Sequence, residues 1–571
     1  MEMWLFAIKR GKIMKQIIDV LSDKIADAGH RANYKANGFS DDDLSRPVIG
    51  IANSWNEIVP GHFNLDKVAE YVKHGIYRGG CTAVEFGVMA ACDGIAQGHD
   101  GMKYILPSRE VIANSIEVMA EAHKLAGLVL IGSCDKIVPG MLLGAARLDI
   151  PCILIPSGPM LRGSAELNGH KLDKTGVTEA IATYKAGKIS LEEFADLEDN
   201  ICGSCGSCTF YGTANTMCAL SEALGMTIPN GAMAPAADPA RLRLATETGV
   251  AITELVKKGI GSRDIITKES IENAIRVCTA TSGSTNAFMH LTALAHEAEI
   301  DMDVMGTFER FNKETPVIAR VYPSCDSSMA ELHYAGGLPR IMYNLKSMLH
   351  TECMTVTAKT VGENLEEYGT KITKEVDCIT TLDKPYKPTG GLQVMRGNLA
   401  PLTAVTKPGA ILPEARHFIG KAMCFDCEED ANKAILEGKI QPGTVIVIRY
   451  EGPKGGPGMR EMFSSMKYLH GMGMATTVAL VTDGRFSGTN NGCFVGHVSP
   501  EAASGGPIAI VKDGDEIEID TETGLLELKA SDEEIAKRLA EWKAPEPKVK
   551  RGYLAQYAKN VTSAAEGAIL K

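Results

Sequence analysis

The sequence predicts an α/β protein, with an N-terminal doubly wound, mainly parallel sheet domain followed by a C-terminal β-barrel-like domain. Two observations carry that prediction. Short apolar runs alternate with helical patterns over the first two-thirds of the chain, as in repeated strand–helix–strand units. After about residue 375 the helical patterns thin out and runs rich in Val, Ile and Thr take over. Glycine, at 58 of 571 residues, supplies the tight turns that so many connections need.

The elements follow in order. Residues 1–13 read as a dispensable leader, because a clean helical pattern (Ile17, Ile18, Val20, Leu21, Ile25) starts only after Met14. Residues 14–373 form the α/β domain. Pro47–Asn53, Leu128–Gly132 and Ile150–Ile155 are apolar runs bounded by Gly, Pro, Asn and Ser, the pattern of strands covered on both faces. Between them Ser108–Ala126 places Val111, Ile112, Ile116, Met119 and Ala120 at helical spacing. In such a sheet the functional loops gather beyond the carboxyl ends of the strands. Lys374–Pro388, polar and carrying two prolines, reads as the linker. Residues 389–571 form the barrel-like domain, with Thr444–Tyr450, Thr476–Val481, Ile508–Val511 and Glu516–Asp520 as strands. Asp513-Gly514 and Thr523-Gly524 fit hairpin turns.

Charge and composition exclude several functions. Lys and Arg number 59 against 71 Asp and Glu, a net charge of −12 that disfavours nucleic-acid and anionic-membrane partners. No uninterrupted apolar run approaches the ~20 residues that span a bilayer. The 15 cysteines are diluted over a long chain and partly clustered, which favours a reducing compartment, the cytoplasm, and metal chemistry over a disulfide scaffold.

Cys202-Gly-Ser-Cys205-Gly-Ser-Cys208 is the strongest local signal. Three thiols at this spacing can converge on an iron–sulfur cluster or on zinc, or can be plain buried thiols. Cys424-Phe-Asp-Cys427 repeats the spacing once in a charged helical stretch, where chance accounts for it. Cys134-Asp135-Lys136 directly follows an expected strand and combines a soft ligand, a hard ligand and an amine, as a site for both iron and Mg²⁺ would, or as a turn with a surface ion pair would. Cys92-Asp93-Gly94 offers another loop carboxylate. The glycine-rich loop from Tyr450 follows a strand, lacks the Walker spacing and ends in Glu461. Ser487, before Gly488 on a strand-end turn, is either a base or nucleophile, or a turn cap.

Taken together, Cys134–Gly140, Cys205–Met217 with its Thr213-Ala-Asn-Thr216, and Thr482–Gly488 resemble the dihydroxy-acid and sugar-acid dehydratase family. Val59–His62, Leu106–Glu110, Gly283–Asn286, Arg449–Met459 and Gly496–Ala502 add to the resemblance, which covers roughly residues 15–565 in the family's order. It implies a hydro-lyase that converts a 2,3-dihydroxy-3-methyl acid to a 2-keto acid in valine and isoleucine synthesis, with aldonates or 6-phosphogluconate as the alternative substrates. It implies Cys134 and Cys208 as ligands of an iron–sulfur cluster, 2Fe–2S or 4Fe–4S. It implies Asp93, Asp135, Glu461 and a carbamylated Lys136 as Mg²⁺ ligands, Ser487 as proton acceptor, and a homodimer or homotetramer. Many members carry a third cluster cysteine where this chain has Gly61; Cys205 and then Cys92 are the substitutes to consider. Outside the family, an electron-transfer iron–sulfur protein would use the same cysteines without the three acids, and a zinc-stabilised interaction protein would use Cys202, Cys205 and Cys208.

Overall fold

The computed structural model describes residue 21 and residues 23–571, apart from 168, 174, 175, 186, 323, 373 and 487–491. The proposed leader, residues 1–13, therefore lies outside the described residues.

Four strands, β1 (Val48–Asn53), β2 (Thr82–Gly87), β3 (Gly127–Ile131) and β4 (Cys152–Ile155), form an all-parallel sheet in the order β2-β1-β3-β4. β1, β3 and β4 are buried along their whole length, which is why they read as unbroken apolar runs. β2 departs from the sequence expectation. It lies at one edge of the sheet and, unlike β4 at the other edge, leaves Glu85 and Gly87 exposed, so it carries no continuous apolar signature. Helices flank the sheet. α1 (Leu65–Arg78) buries Leu65, Val68, Ala69, Val72 and Ile76, and it crosses α4 (Pro239–Lys258) at a glycine contact. A Cβ on Gly75 would lie 2.1 Å from the Thr246 carbonyl, so only glycine permits that approach. The helix expected at 108–126 is α2 (Ile105–His123), which packs against α3 (Ile137–Leu148).

The C-terminal half is a closed, mixed eight-stranded barrel. Its strands are β5 (Gln393–Gly397), β6 (Ala400–Thr406), β7 (His417–Phe425), β8 (Thr444–Ile448), β10 (Ala479–Thr482), β12 (Phe494–Ser499), β13 (Glu516–Asp520) and β14 (Leu525–Leu528), in the circular order β8-β10-β12-β6-β5-β14-β13-β7. Closure removes the exposed edges of an open sheet. Two short strands, β9 (Glu461–Met462) and β11 (Arg485–Phe486), pair separately in parallel.

Three local expectations are corrected. Ile508–Val511 is not a strand: Pro507–Ile510 is a buried 3₁₀ turn, and a four-residue apolar run suits a buried turn as well as a strand. Asp513-Gly514 leads into β13 rather than closing a hairpin, whereas Thr523-Gly524 does close the β13–β14 hairpin. Cys424 lies on strand β7 and Cys427 caps the following helix, so the pair is not within a helix.

The stretch 374–388 carries no helix or strand and is pinned to the α/β region by bridges Ala319–Ile379 and Val317–Lys387. The C-terminal segment returns to the same region. Tyr557, Val561, Ala564 and Ala568 pack with Leu106, Met289 and Met459, and Arg109 Nη2 donates to the carbonyls of Gly567 (3.0 Å) and Ala568 (2.7 Å). Among the described residues no helix is long and apolar enough to cross a membrane.

Candidate active site

The loops that follow β2 and β3 in the sheet, and β8 and β10 in the barrel, meet where the two units face one another. All four lie at carboxyl ends of parallel strands. The first delivers Asp93, the second Cys134, Asp135 and Lys136, the third Glu461 and the fourth Arg485.

Asp93, Asp135 and Glu461 each offer a carboxylate oxygen, and the three oxygens lie within 4.8 Å of one another. Like charges this close disfavour one another's ionised form unless a cation or a proton offsets them. Burial and the neighbouring Asp135 hold the Asp93 carboxyl well above the usual range. Burial pushes Asp135 the same way, but the Lys136 charge and hydrogen bonds from Asp93 and Thr213 outweigh it and hold Asp135 low. Lys136 Nζ stands 3.6 Å from Asp135 Oδ2, is 1% exposed as a side chain and has no hydrogen-bond partner. Burial and the Arg485 charge drive its amine towards the neutral form. Hard oxygens around an unsatisfied centre fit Mg²⁺, and a neutral buried amine fits carbamylation, which would add two more oxygens.

Glu461 is aimed by its register. It sits directly opposite Arg485 in the β9–β11 ladder, and Arg485 Nη1 donates to Glu461 Oε2 at 3.1 Å. Asn286 Nδ2 donates to the same oxygen at 3.3 Å and to Thr213 Oγ1 at 2.8 Å, while its Oδ1 accepts from Arg485 Nη1 at 3.1 Å. Arg485 Nε is spent on the Met459 carbonyl at 2.7 Å, and Nη2 has no partner.

The thiols lie beside the acids. Cys134 is buried and adopts a left-handed φ of 70°, unusual for a residue with a Cβ. Burial pushes its thiol well above the usual range, and the charges of Cys92 and Cys208 push it further, so a thiolate here requires a cation. The Cys208 loop is held by Asn215, whose Nδ2 donates to the carbonyls of Cys208 (2.6 Å) and Phe210 (2.7 Å) and whose Oδ1 accepts from Ser207 Oγ (2.8 Å). Gly206 N donates to Pro60 O at 3.0 Å, which brings that loop against Gly61. A Cβ on Gly61 would meet Cys134 Sγ at 2.8 Å.

The predicted residues Cys134, Cys208, Asp93, Asp135, Lys136 and Glu461 are thus brought to one place. Ser487 lies outside the described residues. Of the 202–208 run, Cys202 is exposed while Cys205 and Cys208 are partly buried, and among the described residues only the three acids place their ligand atoms within 4.8 Å of one another.

Sequence reasoning assigned no role to Arg485, Asn286, Thr213, His290 or His497. His497 is buried in a left-handed conformation (φ 57°), with both ring nitrogens unpartnered and its pKa pushed down to about 3 by burial, Arg485 and Lys136. His290 touches Arg109 Nη1 at 3.2 Å through Nδ1 and leaves Nε2 unpartnered. Asn286, Arg485, His497 and Thr213 lie in the quoted stretches Gly283–Asn286, Thr482–Gly488, Gly496–Ala502 and Cys205–Met217 without a stated purpose, and His290 lies in none of them.

Two family models match the chain: dihydroxy-acid/6-phosphogluconate dehydratase N-terminal over residues 46–364, and the corresponding C-terminal model over residues 377–568. The chain belongs to the dihydroxy-acid/6-phosphogluconate dehydratase family. Within that family it is 50% identical over 555 residues to a protein of Caldanaerobacter subterraneus, covering 97% of this chain and 99% of the relative. It is 50% identical over 557 residues to one of Acetivibrio thermocellus, and 49% over 557 to one of Pyrococcus furiosus, each again at 97% and 99% coverage. All three relatives are named dihydroxy-acid dehydratase. The two family models divide the chain as the α/β and barrel regions do, so the acid set of this dehydratase is assembled from both.

Proposed function

We propose that this chain is a hydro-lyase that dehydrates 2,3-dihydroxy-3-methylbutanoate and 2,3-dihydroxy-3-methylpentanoate to their 2-keto acids, in valine and isoleucine biosynthesis. The observation that carries the reading is 49–50% identity, over nearly the whole of both chains, to relatives named dihydroxy-acid dehydratase. The side-by-side placement of hard oxygens and soft thiols supports it.

In this reading Asp93, Asp135, Glu461 and a carbamylated Lys136 hold Mg²⁺, and Cys134, Cys208 and one further thiolate hold an iron–sulfur cluster, 2Fe–2S or 4Fe–4S. When bound, iron supplies a Lewis acid for the C3 hydroxyl, and Mg²⁺ offsets negative charge growing on the substrate's carboxylate and C2 oxygen. Ser487 takes the C2 proton. The C3 hydroxyl leaves as water, and the resulting enol ketonises by taking a proton at C3, so no electrons are exchanged with a carrier. Arg485 and Asn286 hold Glu461 in place. The unpartnered Arg485 Nη2, His290 Nε2 and His497 ring nitrogens offer hydrogen-bonding capacity to an anionic, hydroxylated ligand. Cytoplasmic location follows from the many buried cysteines, which suit a reducing compartment. A homodimer or homotetramer is consistent with the apolar surface that Trp55, Ile58 and Phe63 expose in the loop after β1.

The test is a keto-acid assay on anaerobically purified, Mg²⁺-supplemented enzyme. Turnover of 2,3-dihydroxy-3-methylbutanoate should exceed that of 6-phosphogluconate and of aldonates. The reverse ranking would move the chain to the sugar-acid substrates of its family.

A further inference from the structure

β12 is bulged beside the Arg485–Glu461 pair. Three steps along β12, from Gly496 to Ser499, oppose two along β6, from Val405 to Thr403. The extra residue falls at His497–Val498, and His497 takes the left-handed φ of 57°. A bulge of this kind turns a side chain out of the strand's alternation, and such bulges are frequent next to active sites. His497 N donates to Gly484 O at 2.8 Å, which sets it against the residue before Arg485. Its ring is buried, and neither nitrogen has a partner.

His290 approaches the same pair from the α/β region. Asn286, which binds both Glu461 and Arg485, lies one turn before it on the helix Asn286–Glu297, so the two side chains share a face. The Arg109 guanidinium can only donate, so His290 Nδ1 accepts from Arg109 Nη1 at 3.2 Å and Nε2 carries the ring proton. That N–H is buried and unpartnered, as is Arg485 Nη2. Both rings are also acted on by the charges of Lys136 and Arg485. Buried polar atoms are almost always satisfied in folded proteins, so unpaired ones gathered round one site mark a place for a ligand.

We infer that both histidines bind the substrate directly: His290 Nε2 donates to its carboxylate, and His497 pairs with its C2 hydroxyl. The inference rests on the proposed dihydroxy-acid reading. His290 Nε2 and Arg485 Nη2 are donors only, and a carboxylate offers acceptors only. Burial keeps His497 neutral, so its ring presents one N–H and one lone pair, the complement of a hydroxyl that both donates and accepts. The C2 hydroxyl is the one next to the carboxylate, within reach of the residue that flanks the Arg485 turn.

The test is competitive inhibition of the holoenzyme by two unreactive acids, 2-hydroxy-3-methylbutanoate and 3-methylbutanoate, which differ only in the C2 hydroxyl. His497→Asn keeps a side chain that tolerates left-handed φ. It should weaken the hydroxy acid by roughly 10–100-fold, the scale of one lost hydrogen-bond partner, and leave 3-methylbutanoate unchanged. His497→Gly, which relieves the positive φ, should show the same loss without a fall in Tm. A ring that only packs predicts the reverse, a lower Tm in both variants and an unchanged ratio of the two inhibition constants; that ratio overturns the inference for His497. His290→Phe, or His290→Leu should the first not fold, should weaken both acids alike; weakening of neither, or of the hydroxy acid alone, overturns the inference for His290. An unmodified chain that 2-hydroxy-3-methylbutanoate does not inhibit overturns the dihydroxy-acid reading itself, and the inference with it.

Discussion

Arg485 and Glu461 face one another across a two-residue parallel ladder, and the guanidinium donates to the carboxylate at 3.1 Å. Both side chains are buried, and the pair ties the loop after β8 to the loop after β10. A buried pair of this kind costs about 3–5 kcal/mol when one partner is removed, because the other charge is left uncompensated.

Arg485→Met should therefore lower the Tm of metal-free protein, and Mg²⁺ should recover more of that loss than it adds to the unmodified chain. A cation held by Asp93, Asp135 and Glu461 takes over the compensation that Arg485 supplied. Thermal scans with and without Mg²⁺ check this; equal Mg²⁺ increments in both proteins would show that Arg485 does not balance Glu461.

Asn215→Ala removes three hydrogen bonds that shape the Cys208 loop. Each buried group left unpaired costs about 1–3 kcal/mol. Iron per chain should fall while the Mg²⁺-dependent gain in Tm stays, since none of the three acids touches Asn215 in these bonds. Unchanged iron content would mean the loop keeps its shape without the amide.

Burial and the neighbouring Asp483 raise Glu501 to a pKa of about 7, although the backbone N–H groups of Gly455 and Lys454 bind its carboxylate. The folded chain then keeps a proton that the unfolded chain, at an ordinary carboxylate pKa of 4.5, has lost. Stability from this group is present below about pH 4.5 and is lost as pH rises towards 7. Glu501→Gln should flatten the fall in Tm between pH 5 and 8, with Tm measured across that range for both proteins. An identical slope in both would assign the pH dependence to other groups.

Much of the fold was legible because of how the chain is buried. β1, β3 and β4 are covered on both faces and therefore apolar throughout, while β2 escaped notice because its open face carries Glu85. Pro507–Ile510 misled for the opposite reason, being apolar and buried without being extended. In the site, Cys134, Asp135 and Lys136 were legible as adjacent residues after a strand. Arg485, Asn286 and Thr213 were not, since their roles come from contacts such as Asn286–Glu461 and Asn286–Arg485, separated by 175 and 199 residues.

Ser487→Ala should leave the visible absorption and the Mg²⁺ response unchanged and reduce turnover by roughly 10²–10⁴, the usual range for loss of a general base. If the serine only caps a turn, the substitution would instead cost about 0.5–2 kcal/mol of stability, by analogy with helix capping, at near-normal rate. Turnover above about a tenth of the unmodified rate would exclude Ser487 as the base.

The most direct measurement is the fate of hydrogen during turnover of 2,3-dihydroxy-3-methylbutanoate in D₂O by the anaerobic, Mg²⁺-supplemented enzyme. Loss of the C2 hydrogen and protonation of the enol at C3 require a 3-methyl-2-oxobutanoate that carries one solvent deuterium at C3. A product that retains the original C2 hydrogen at C3, or no keto acid while 6-phosphogluconate is consumed, would contradict the assigned reaction.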